Sequence, residues 1–516
     1  MAQQRDDIFE VYKPLRNHLK KCEIADSLRV IREYAQDLQF KGSLFSPDIE
    51  ILPEYQQKDH VQKMRWIAEW SLEILAKEVI INSPQKKWQP NSFKKWKHFS
   101  NAINKIKDIE KRISQNYIGQ GNILREMGRT AHLQFCWQIE RPNAEMLSRY
   151  YKIYSTPGLS SLVRNTIGLT IKEIYIIGVA LLGVYMKWIA LNYPPNISIE
   201  EMNKDSLDTF LKHFSIDLQD IKQKLISEQS INEDYLYAFS SLRGYPIIRM
   251  PYESKESLVC PIPTLLFWRI AGGLYYEVVD QRGFDKAFGK AFQGYIGDCI
   301  TKAHTNKNID SYQEESYVAG KERKDTTDWI IDDGSCAVFI ECKGKRMTLP
   351  SKTQLVVGNA LEKDMQKMAD FIVQAYKSIR DYRNDEYHHY KNNKQRTVYP
   401  LIVTLEDWHL FGDSPLLKEA IEKKMSVEGV PLRWLKELPY TVCSASEFEK
   451  LVQIIQHEGI EATIGKKAKD PKRSRWELDV FLSSEYPEKH KNTKALFLEE
   501  YDSIFPERVR KGGSLR

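Results

Sequence analysis

Long apolar runs are scarce in this sequence. The longest, Ile174 to Met186 (IYIIGVALLGVYM), lies between Lys172-Glu173 and Lys187, whereas a bilayer span needs about 20 residues. It reads as a buried core helix, and no membrane partner is expected. The chain does not open on a charged-then-apolar segment, and its 7 cysteines include no Cys-x-x-Cys pair. Neither disulfides nor a zinc site is therefore expected, and the expected compartment is a reduced cytoplasm. A P-loop, a dinucleotide glycine signature and a nucleophile elbow are all missing, so nothing indicates nucleotide-driven translocation. Charge of one sign is also in short supply. A net charge of +6 over 516 residues permits a polyanionic partner without demanding one.

What is present is the composition of a folded chain, 42% hydrophobic and 28% charged. At about 150 residues per domain the length suggests two or three domains. Up to about residue 240 the apolar spacing is helical, as in Trp66, Ile67, Trp70, Leu72, Ile74 and Leu75, with breaks at Ser83-Pro84, Gln89-Pro90, Pro157-Gly158 and Pro194-Pro195. Residues 1–242 are accordingly expected to be an all-α region. Within it, Lys86 to Arg112 sets nine Lys or Arg (86, 87, 94, 95, 97, 105, 107, 111, 112) among Trp88, Phe93, Trp96 and Phe99. That mix could grip phosphates and stack bases, but a solvated helix whose aromatics face the core is the favoured reading.

After Gly244 the pattern changes, and a second domain is expected over 243–460. Tyr245 to Met250 and Ser257 to Ile262 read as a hairpin, Leu265 to Val279 as a helix, and Phe284 to Ile300 as a strongly amphipathic helix. Strands are expected over Ser311 to Val318, Thr326 to Ile331 and Cys336 to Lys343, the last two joined by the turn Asp332-Asp333-Gly334. A helix from Glu362 to Tyr382, a strand from Thr397 to Leu405, a helix from Pro415 to Lys424, a strand from Tyr440 to Cys443 and a Ser-capped helix from Ser446 to His457 complete a mixed α/β core. Residues 461–516, rich in Lys and Arg, read as a flexible basic extension.

One segment carries chemistry. Asp328 heads a strand and faces, across the hairpin, an apolar strand ending in Glu341-Cys342-Lys343. Strand side chains alternate, so Glu341 and Lys343 share a face and join Asp328 at one spot. Two carboxylates that hold Mg²⁺, with an ammonium beside them, form the set that phosphodiester hydrolysis needs, and the Cys342 carbonyl is a further oxygen donor. The tripeptide Glu-x-Lys by itself says little, since it recurs at Glu253, Glu322 and Glu422. Only Glu341 follows an apolar β run and a hairpin. The alternative reading is a salt-bridged strand end.

This segment resembles the D-x(n)-(D/E)-x-K signature of the PD-(D/E)XK, or restriction-endonuclease-like, superfamily. The helix pattern F-G-x-x-F-E-x-Y-V of many bacterial members is similar to Phe288-Gly289-Lys290-Ala291-Phe292-Gln293-Gly294-Tyr295-Ile296, with Gln293 where the family has Glu. The resemblance covers 243–460. It implies a restriction-endonuclease-like α/β core with a mixed sheet, within an α+β multidomain chain. The implied enzyme is a Mg²⁺-dependent nuclease, with Mn²⁺ able to substitute, that uses Asp328, Glu341 and Lys343, with Asp328, Glu341 and Cys342 on the metal. Gln293, Gln366, Gln374 and Lys377 are additional candidates. Lys321, Arg323, Lys324 and Lys345 are candidate phosphate contacts or simply a solubilising run. DNA is favoured over RNA because most relatives cut DNA. A helical region fused to a solitary nuclease is similar to stand-alone anti-phage defence proteins and implies a phage-derived trigger protein. The alternatives are an RNase acting on tRNA and a decayed module that only binds nucleic acid or protein.

Overall fold

The computed structural model describes residues 2–40, 45–86, 88–117, 123–138, 142–197, 199, 202–304, 309–319, 321–348, 352, 360–393, 395–410 and 415–505. They fall into two compact units that divide between Arg282 and Gly283, and the first resumes at Glu499.

In the first unit, helices α1 (Ala2–Leu19), α2 (Ile24–Gln39), α3 (Glu69–Asn82) and α4 (Trp96–Tyr117) share a core that includes Leu15, Leu28, Leu75 and Ile106. Phe93 and Phe99 of the basic stretch lie in that core, with Phe99 stacked on Tyr34 at 4.3 Å. Its aromatics thus serve packing, although Trp88 is exposed and Lys87 lies outside the described residues. Helix α5 (Ile171–Tyr185) opens on a capping box formed by Thr170 and Glu173 and is buried along most of its length. No single described helix is long and apolar enough to cross a membrane.

This unit is not all-α. The strands β1 (Ala190–Asn192), β2 (Ser215–Asp217), β3 (Ile247–Tyr252) and β4 (Lys255–Val259) form a sheet in the order β1-β4-β3-β2. Two of them are three residues long, too short to show alternation in sequence. The β3–β4 hairpin turns at Glu253 and Ser254, both at positive φ. Its Ile248, Met250 and Val259 enter the same core as Leu28 and Leu75. Burial of that hairpin face places the division at Gly283 rather than at 243. The helix expected over Leu265 to Val279 is broken after Ile270, at Ala271-Gly272-Gly273.

The second unit is built on a five-stranded mixed sheet of β5 (Asp310–Gln313), β8 (Trp329–Asp332), β9 (Cys336–Lys343), β10 (Thr397–Thr404) and β11 (Thr441–Ser444), arranged in chain order. Here β8 is antiparallel to both neighbours, and β9, β10 and β11 are parallel. A separate ribbon pairs β6 (Ser316–Ala319) with β7 (Glu322–Asp325). Helices α7 (Ala360–Arg383) and α8 (Pro415–Val427) pack together, and Ile372, Ile402 and Ile421 are buried in the cluster they form with the sheet. Helix α6 (Phe284–Ala303) packs against β9 and against α9 (Ala445–Glu458), which opens on a capping box formed by Ser444 and Glu447. The unit is thus mixed α/β, as expected. At the β8–β9 turn Gly334 takes φ 86°, and Asp333 accepts the Ser335 and Cys336 amides.

The basic extension is folded as far as it is described. Leu478, Phe481 and Leu482 are buried on one face of a short helix, Leu478–Glu485, and Phe497 is buried as well. Several of its cations are paired: Lys466 and Arg473 with Glu485, and Lys469 with Glu461. An eight-residue helix set among charges carries too little periodicity to be seen in sequence.

Where α6 meets β8, the Trp329 indole lies against Gly297 and donates to the Gln293 carbonyl at 2.9 Å. A Cβ at Gly297 would come within 2.1 Å of that ring, whereas one at Gly294 meets nothing within 4 Å. Gly297→Ala is therefore expected to destabilise the chain by about 1–3 kcal/mol through overpacking. Gly294→Ala should gain up to about 1 kcal/mol from helix propensity. Urea unfolding of both variants checks the pair, and equal effects would contradict the packing.

Candidate active site

The apolar run of β9, from Cys336 to Ile340, is fully buried and drives this strand through the middle of the sheet. Its last residues, Glu341, Cys342 and Lys343, are thereby carried to the end of the sheet, opposite Ile402, Val403 and Thr404 of β10. On the other side Trp329 pairs with Ile340, so Asp328, one residue earlier, stands across from Glu341. Two hydrogen bonds fix that register. Thr327 Oγ1 donates to the Ile340 carbonyl at 2.8 Å, and the Cys342 amide donates to Asp328 Oδ2 at 2.6 Å.

Glu341 is 1% exposed. Its Oε2 accepts from Lys343 Nζ at 2.8 Å and its Oε1 from Ser378 Oγ at 3.3 Å, while Lys343 Nζ also donates to Gln374 Oε1 at 3.1 Å. Burial, then the Glu341 charge, push the Asp328 carboxyl up to about 7, against the pull of Lys343 and the Cys342 amide. Burial works against the Lys343 ammonium, but the Glu341 and Asp328 carboxylates outweigh it and hold this ammonium above the ordinary lysine range. In a low-dielectric pocket two adjacent carboxylates do not both ionise freely without a compensating cation.

The other candidates divide. Gln374 touches Lys343, as above. Cys342 reaches Asp328 through its amide, while burial pushes its own thiol far up. Gln293 does not reach the pair directly. Its amide donates to Glu314 Oε2 at 3.0 Å, and Glu314 in turn adds to the charge felt by Asp328. Gln366 is exposed on α7, two turns before Gln374. Lys377 is drawn away to Glu428 at 2.7 Å. On the β6–β7 ribbon Arg323 donates to Ser316 at 3.1 Å and Lys324 pairs with Asp381 at 3.3 Å, while Lys321 in its turn and Lys345 beyond β9 are exposed.

Glu314 and Ser378 are the residues that sequence reasoning missed. The stretch from Ser311 to Val318 reads as one strand, yet it breaks at Glu314-Glu315 into β5 and β6, which lie in different sheets. The double acid was the available signal. Glu314 does not close with Asp328 and Glu341 into a single group of three donors within 4.8 Å.

Because the folded-state pKa of Asp328 lies above its ordinary value of about 3.9, ionising it costs stability. That cost is absent below pH 4 and develops as pH rises towards 7. Asp328→Asn should therefore melt higher than the wild type at pH 8 in EDTA, with a gap that narrows on acidification and closes near pH 4. Parallel Tm curves across that range would contradict the placement of Asp328.

No family model, curated protein or solved structure matches the chain, so the chemistry of this site rests on its own residues.

Proposed function

We propose that the second unit is a Mg²⁺-dependent nuclease of the PD-(D/E)XK type, cutting nucleic-acid phosphodiesters with DNA favoured over RNA. The observation that carries this reading is the set of buried Glu341 with half-buried Asp328 and Lys343 at the ends of two paired strands. A mixed sheet whose second strand is antiparallel, with the acid and the Glu-x-Lys on neighbouring strands, supports a restriction-endonuclease-like core.

The donors fit a hard cation. Mg²⁺ is commonly held by one or two carboxylates and keeps several waters, and Asp328 with Glu341 supplies two crowded carboxylates, one of them pushed far from its ordinary range. When bound, the ion neutralises phosphate charge and makes water more acidic; Mn²⁺ can take the same donors. Lys343 stays protonated beside Glu341 and donates to the phosphate or to the attacking water, with Gln374 fixing its direction. Ser378 holds Glu341 in place from α7. Lys321, Arg323, Lys324 and Lys345 supply phosphate contacts around the site. In this reading the chain is a cytoplasmic anti-phage effector, and the first unit receives a phage-derived trigger.

Asp328→Ala, Glu341→Ala and Lys343→Ala are each expected to lower cleavage by about two orders of magnitude or more. Ser378→Ala should lower it less, and Lys377→Ala should leave it unchanged. The assay incubates the full chain with plasmid, linear duplex, single strands and total tRNA in Mg²⁺, Mn²⁺ or EDTA. Undiminished cutting by Glu341→Ala would end the assignment. Cleavage confined to tRNA would select the RNase reading, and binding without cleavage in every metal would select a decayed module.

A further inference from the structure

A second group of donors lies at the same end of the sheet, beyond β10. Asp407 and His409 follow that strand closely, and Glu477 precedes the helix Leu478–Glu485, so the group joins two segments far apart in sequence. One donor atom from each residue lies within 4.8 Å of the other two. His409 Nδ1 is 3.3 Å from Asp407 Oδ1 and 3.7 Å from Glu477 Oε1. In a tetrahedral site with bonds of about 2.0–2.1 Å, neighbouring ligand atoms stand about 3.3 Å apart. The three side chains are therefore spaced to share one ion.

Two further observations point to a cation. Glu477 Oε1 is shielded from solvent and accepts no hydrogen bond, although it is aimed at the group. The Glu477 side chain is 27% exposed, but this oxygen gains nothing from that exposure, and a polar atom shielded without a partner is costly. Moreover, the neighbouring cations among the described residues already serve other groups. Lys450 and His490 hold Asp479 at 2.6 and 2.7 Å, Arg346 and Lys352 hold Glu406 at 3.1 Å each, and Lys467 donates to the Ser474 carbonyl at 2.8 Å. His409 faces two acids, Asp407 and Glu477.

We propose that Asp407, His409 and Glu477 form a metal site separate from Asp328 and Glu341, which takes one Zn²⁺ and ties the chain around Glu477 to the end of β10. Imidazole with two carboxylates suits Zn²⁺ and discriminates against Mg²⁺, which prefers oxygen donors alone. Three protein ligands leave one position for water. No cysteine takes part, which is why cysteine spacing gave no indication of zinc.

The test is independent of the nuclease reading. The full chain carrying Asp328→Asn and Glu341→Gln is stripped with EDTA and titrated calorimetrically with Zn²⁺ and with Mg²⁺, and its Tm is followed. One Zn²⁺ per chain is expected, with a raised Tm and with Mg²⁺ binding at least about 100-fold weaker. Adding Glu477→Gln should weaken Zn²⁺ binding by about 100-fold and abolish the Tm rise, while the melt in EDTA stays that of the parent. Asp407→Asn is the second variant, should the first not fold. Replacing Zn²⁺ with Co²⁺ should give a visible absorption band that His409→Ala removes. Failure of the parent to take up stoichiometric Zn²⁺, or uptake unchanged by Glu477→Gln and Asp407→Asn, would overturn the proposal.

Discussion

The antiparallel pairing of β8 with β9 is the constraint on which the candidate nuclease site depends. It sets Asp328 against Glu341 and, because β9 runs on by two residues, brings Lys343 to the same face. Only Asp328 stands outside a strand, one residue before β8, and the Thr327 and Cys342 hydrogen bonds tie it to β9. The buried apolar residues of β9 and the backbone ladder position the others, which gives the site the rigidity of the sheet. The arrangement is costly by itself, since burying a charge is tolerated only when partners or a bound ion compensate it. Lys343, Ser378, Gln374 and the Cys342 amide provide much of that compensation. What they leave uncompensated falls on Asp328, whose carboxyl is pushed up to about 7 by burial and by Glu341.

Most of this was legible in the sequence because it depends on local patterns. The apolar run of β9 and the Asp-Asp-Gly turn announced the hairpin, and helical periodicity announced α6 and α7. The alternation of side chains was enough to place Glu341 and Lys343 together. Features set by distant partners were not legible. Periodicity indicates which face of α7 a residue occupies but not what waits there, so Lys377 seemed as good a candidate as Gln374 until Glu428 claimed it. The strands β1 and β2 exist because the β3–β4 hairpin offers them edges, and no three-residue segment can declare that alone. The helix from Leu478 to Glu485 was hidden for a related reason, since the Lys and Arg residues before it look like a solvated tail when Glu461 and Glu485 are not yet seen beside them.

The two ends of the central sheet treat their acids differently. At the β8–β9 turn, Asp333 is partly buried yet held below the ordinary range by the Ile460, Cys336 and Ser335 amides, while Asp332 accepts from Tyr390 and pairs with Arg396. Those acids are used both in closing the hairpin and in tying it to Tyr390, Arg396 and Ile460. At the opposite end, where the parallel strands β9, β10 and β11 all terminate, the acids divide: Arg346 and Lys352 hold Glu406 down against its burial, while burial and neighbouring acids push others up. Asp328 is one case, and Glu447, pushed up to about 7 by burial and then by Asp407, is another, although its oxygens also cap α9 and accept the Asp479 amide. A fold gains nothing in stability from crowding acids in this way. Both crowded carboxyls stand where three parallel strands end, the place where α/β sheets tend to bind ligands, and a cation of the kind proposed for Asp328 and Glu341 would relieve the crowding there.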